Sequence, residues 1–75
     1  MCYFIQTVIL KKSHFSKQQA IEWIYKHDYN VTHSDETLNE YRFRLISSDI
    51  LNTGYYKERI IKLEDIGYLI VLYST

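Results

Sequence analysis

A chain of 75 residues has room for one domain, and a core of that size hides only about 60–65% of the surface its unfolded form exposes. Nine basic residues balance nine acidic ones, which disfavours a protein that holds nucleic acid by bulk charge. Cys2 is the single cysteine, so no intramolecular disulfide forms, and a reducing, intracellular compartment is the natural expectation.

Gln6 and Thr7 break the first apolar run before Lys11-Lys12, so no signal peptide is expected. Tyr68 to Tyr73 is too short to span a bilayer, which argues against a membrane protein. Charge is uneven along the chain: residues 1–30 carry four basic and two acidic groups, residues 31–75 five and seven. Eight tyrosines and no proline suit uninterrupted, half-buried strands.

In chain order, residues 3–12 are β-branched and aromatic, and apolar on both parities. That predicts an inner strand with both faces at least partly covered. Ser13-His14-Phe15 connects it to Ser16-Lys17-Gln18-Gln19, a capping-box pattern. Ala20, Ile21, Trp23, Ile24 and His27 then recur at helical spacing, which predicts an amphipathic helix of about three turns. The helix should end near His27-Asp28, with Asn30 as the left-handed residue that closes it. Val31 to Glu36 reads as a brief extended segment running into a turn at Ser34-Asp35-Glu36.

Residues 39–46 alternate strictly, with Tyr41, Phe43 and Leu45 on one face and Glu40, Arg42 and Arg44 on the other. This is an antiparallel strand with one buried and one wet face. Ser47 to Gly54 reads as a loop whose Ile50 and Leu51 tuck against the sheet edge. Two strands, roughly 55–63 and 68–74, then flank the turn Glu64-Asp65-Ile66-Gly67, where the glycine suits a positive φ. The expected fold is a single α+β domain over residues 1–75: one helix on an antiparallel sheet of four to five strands, in the order β-α-(β)-β-β-β.

Chemistry is sparse. His14, His27 and His33 lie apart in sequence, and no His-Glu-x-x-His, cysteine pair or carboxylate dyad accompanies them. Two glycines, Gly54 and Gly67, cannot make a phosphate-cradling loop. No enzymatic activity, cofactor or metal is expected.

The candidate contact surface is basic and aromatic. Arg42 and Arg44 share a parity on one strand, and Lys57 and Arg59 on the next, with Tyr55 beside them. If those strands pair with the two basic rows aligned, four cations and a tyrosine line one open patch for a protein partner or, alternatively, a single nucleic-acid strand. The competing explanation is an ordinary solvated face, with Glu40, Glu58, Asp35 and Glu36 supplying cross-strand ion pairs. The first and last strands are apolar on both parities, so self-association, as a homodimer through the sheet face or its edge, is a further expectation.

Lys11-Lys12-Ser13-His14-Phe15-Ser16, Ala20-Ile21-Glu22-Trp23-Ile24, Asp35-Glu36-Thr37 and Tyr41-Arg42-Phe43-Arg44 together carry a resemblance. The pattern resembles small proteins of bacteriophages and large DNA viruses, a module similar to the start of XkdF-like phage proteases. The chain departs from it in the longer polar stretch Ser47 to Tyr55 and in Glu64-Asp65 at the final turn. The resemblance implies a viral or phage accessory domain acting in the host cytoplasm or with the virion. It brings no catalytic residue, because the protease portion of the longer proteins is not represented here.

Overall fold

A computed structural model describes residues 3–46 and 54–74. Cys2 and the stretch containing Ile50 and Leu51 lie outside the described residues. The elements run β1 (Tyr3–Lys11), α1 (Lys17–Lys26), β2 (His33–Glu36), β3 (Glu40–Arg44), β4 (Tyr56–Leu63) and β5 (Gly67–Ser74). All strand pairs are antiparallel, and the sheet order is β2-β3-β1-β5-β4. The expected α+β class is what forms, with five strands and β1 at the centre.

The central place of β1 follows from its composition. Gln6 to Leu10 are all buried, the only such run among the described residues, and a strand apolar on both faces is stable where both edges are paired. Across the sheet, directly opposed residues share a face. One row reads Ser34, Phe43, Val8, Leu69, Ile61, and the next Glu36, Tyr41, Leu10, Gly67, Leu63. These rows face α1, because Ala20 and Ile24 join Val8, Leu10 and Phe43 in the buried core, with Trp23, Tyr41 and Leu69 packed around it. The helix therefore covers the β1–β3 half, and β4 lies beyond it.

β1 is not a regular strand. Ile5 opposes Val71 but Thr7 opposes Ile70, so Gln6 is an extra residue, a β-bulge. Its carbonyl accepts from the Leu45 amide at 2.7 Å. The bulge lets Ile5 join the helix-side core, although two-residue alternation from Val8 would send it to the opposite face.

The helix starts as its capping box requires. Ser16 Oγ accepts from the Gln19 amide at 3.2 Å, and Gln19 Oε1 accepts from the Ser16 amide at 2.9 Å. At the other end the left-handed residue is Asp28, φ 57°, not Asn30. Aspartate tolerates that region through local hydrogen bonding of its short side chain. The expected turn at Ser34-Asp35-Glu36 is also displaced: those residues pair with β3, and the chain reverses at 37–39. There the Thr37 amide donates to the Glu40 carbonyl at 2.9 Å and Thr37 Oγ1 accepts from the Glu40 amide at 3.1 Å.

Gly67 corrects a third expectation. The positive φ in the last turn belongs to Glu64, φ 52°. Gly67 sits in β5, where a Cβ would lie 1.9 Å from the Ile9 carbonyl oxygen and 3.1 Å from Leu10 Cα. The residue is glycine because the β1 backbone occupies the space of a side chain.

Candidate interaction surfaces

The face away from α1 carries the rows His33, Arg44, Thr7, Ile70, Ile60 and Asp35, Arg42, Ile9, Tyr68, Lys62. It grades from polar at β2 and β3 to apolar at β5 and β4. Thr7, His33, Asp35, Arg42 and Arg44 surround a dent of about 10 Å³, no larger than one water. Ile9 is buried although no helix covers it. Its neighbours Arg42 and Tyr68 are half-buried, as long amphipathic side chains are when their stems lie over an apolar residue.

The Tyr68 phenol lies close enough to Glu40 to feel that carboxylate, with β5 and β3 on either side of β1. Burial pushes the Tyr68 phenol above its ordinary value, the Glu40 carboxylate adds to that, and Arg42 opposes it. No alternation within a single strand could have revealed this contact, since it depends on which strands are neighbours.

The five residues expected to form one patch are divided by the fold. Arg42 and Arg44 lie on β3, on the face opposite α1. Lys57 and Arg59 oppose Tyr73 and Val71 on β4, which puts them on the helix-side face. β1 and β5 stand between β3 and β4, so the pairing that would have aligned the basic rows does not occur. Tyr55 is an exposed residue just before β4. The expected carboxylate partners are also differently used: among the described residues the ion pairs join Glu36 to Lys12 at 2.7 Å and to Lys17 at 3.8 Å.

That pair sits where β2 meets the start of α1, beside a groove of about 140 Å³ lined by Lys17, Ile21, Ser34, Asp35, Glu36, Tyr41 and Phe43. The hydrogen bond from Lys12, and then its charge, hold the Glu36 carboxyl below the usual carboxylate range, with a smaller pull from Lys17. Lys12 Nζ also stands 5.3 Å from the centre of the Tyr41 ring.

The histidines are dispersed. His14 Nδ1 is 3.0 Å from Ser13 Oγ, and His27 Nδ1 is 2.8 Å from the Trp23 carbonyl, stacked on the Trp23 ring at 3.8 Å. His33 lies on β2 beside Arg44. Among the described residues, no three His, Cys, Asp or Glu side chains converge as a metal site. No described helix is long and apolar enough to cross a membrane.

β4 is an open edge strand that carries exposed apolar residues. Lys57 to Lys62 are all exposed, and they include Ile60 at 65% and Ile61 at 41% exposure. β4 is one of the sheet's two edges, so among the described residues its outer row of backbone donors and acceptors has no strand beside it. Next to it Glu58, Arg59, Ile60 and Ile70 line a shallow depression of about 390 Å³. Phe4, also exposed, meets Tyr56 edge-on at 5.7 Å. Compared with protein-family models, with curated proteins and with solved structures, the chain matches none.

Proposed function

We propose that the chain is a non-enzymatic protein-interaction module, a small viral or phage accessory protein whose contact surface is the β4 edge. The observation that carries this is the eight-residue edge strand with two exposed isoleucines and, among the described residues, no covering element. Natural sheets blunt such an edge with charges, proline, a bulge or a covering loop; β4 has the charges but also Ile60 and Ile61 exposed between them, and an edge with apolar residues open accepts a further strand. Lys57 and Arg59 lie along this strand and Tyr55 leads into it, so three of the five candidate residues belong to this surface. Arg42 and Arg44 form a separate, partly buried pair on β3. The division of the cations between two faces favours protein contact over a nucleic-acid strand, which needs a continuous basic path.

A photoreactive amino acid in place of Ile60 tests the reading, with Tyr25, exposed on α1, as the control position. The expected result is capture of a protein partner at Ile60 but not at Tyr25. The captured protein, added back, should then slow hydrogen exchange of the β4 amides. Equal capture at both positions, or none at Ile60, refutes it.

A further inference from the structure

We infer that the occupant of the β4 edge is a second copy of this chain, paired antiparallel through β4 with Ile60 opposite Ile60, an inference that rests on the reading of β4 as the contact edge. Two copies joined edge to edge are related by a two-fold axis through the sheet, so opposed residues must share a face. The register can then slip only two residues at a time in the pairing, and each choice sets different charges against one another.

In the Ile60-centred register, Glu58 of each copy opposes Lys62 of the other, and symmetry makes this match twice. Ile60 meets Ile60 between the two matched pairs. On the helix-side face Arg59 opposes Ile61 and Lys57 opposes Leu63, so each cation lies beside an apolar side chain that its stem can cover. No cation opposes a cation, and no carboxylate a carboxylate. Neighbouring registers lose this: centring on Arg59 sets Arg59 against itself, centring on Ile61 leaves Glu58 opposite the turn beyond Leu63 and loses both Glu58–Lys62 matches, and centring on Glu58 sets two carboxylates together and Lys57 against Arg59. The zero net charge of the chain adds no long-range repulsion between copies. The two five-stranded sheets become continuous, and Ile60, the most exposed isoleucine among the described residues, is covered.

Sedimentation equilibrium across a dilution series tests the association, and charge reversal tests the register. The wild-type chain should sediment as a dimer. Glu58→Lys or Lys62→Glu alone should weaken the dimer about tenfold, since like charges then oppose each other twice. The double variant Glu58→Lys/Lys62→Glu should restore wild-type affinity to within about threefold. These positions are exposed, and circular dichroism confirms that each variant is folded. With Cys2→Ser as background, Ile60→Cys should oxidise to a linked dimer, because opposed residues of antiparallel strands stand within disulfide reach. Arg59→Cys should not. Single reversals without rescue, or preferential linkage through Arg59→Cys, overturn the inference. A wild-type monomer whose photoreactive Ile60 position captures a different protein overturns self-pairing and leaves the interaction module standing. A monomer with no capture overturns both.

Discussion

Replacing Gly67 with alanine is the sharpest probe of how the sheet is assembled. The added methyl would start 1.9 Å from the Ile9 carbonyl oxygen, 3.0 Å from its carbon and 3.1 Å from Leu10 Cα. All three are backbone atoms of the central strand, so no flexible side chain can swing aside. The strands must separate, and the ladder bonds around Leu10–Gly67 stretch with them. Overpacking ordinarily costs about 1–3 kcal/mol, and a backbone obstacle belongs at the upper end, about 3 kcal/mol. A domain of this length has a total stability of about 4–11 kcal/mol, so the loss is a large share of it. The melting temperature should fall by about 12–24 °C, read by circular dichroism and by the urea midpoint. Gly54→Ala is the control: its φ is +78° but nothing lies within 4 Å of the added methyl, so only left-handed strain of about 1–2 kcal/mol is expected. A Gly67→Ala loss below 1 kcal/mol, or one no larger than that of Gly54→Ala, would refute the steric account.

Removing the helix cap with Ser16→Ala should cost about 1 kcal/mol in urea denaturation, with the Gln19 amide losing its acceptor. Lys12→Met should return the Glu36 carboxyl toward the ordinary glutamate value, followed by NMR titration, because Lys12 is the main cause of its lowered position. The folded value is the depressed one, so this pair's stabilisation is present above the unfolded carboxyl's pKa and is lost as pH falls through the folded pKa. Stability should consequently decline less steeply with acid in Lys12→Met than in the wild type. Arg42→Ala should destabilise by about 1 kcal/mol through exposure of Ile9, whereas a purely solvated arginine would give no measurable change in the same denaturation curve.

Local features were legible because each depends on a few adjacent residues. The capping box from Ser16 to Gln19 and the alternation of Tyr41, Phe43 and Leu45 toward the core are both of this kind. Turn details were less so. Asn30 and Gly67 are better left-handed residues than Asp28 and Glu64, but propensity yields when tertiary packing fixes where the chain must reverse. In sequence Gly67 suggests freedom of φ, while its actual constraint comes from Ile9, far away along the chain.

The candidate patch was illegible for a deeper reason. Parity assigns residues to a face only relative to their own strand, and comparing two strands requires the register between them. Arg42 and Arg59 reach a common reference only along a path that crosses both β1 and β5, for example through Ile9, Thr7, Ile70 and Val71. Just beyond Thr7 lies the bulge at Gln6, where alternation breaks, so counting along β1 alone would put Ile5 and Thr7 on the same face. The bulge also lets Ile5 and Val71 reinforce the core beside Leu69, which keeps β5 packed although α1 lies over β1 and β3. β4 gains no such support. Among the described residues it pairs with β5 alone, with Phe4 touching only its first residue, Tyr56, and it exposes apolar residues on both faces, so the arrangement that completes the core at β1 leaves the sheet open at β4.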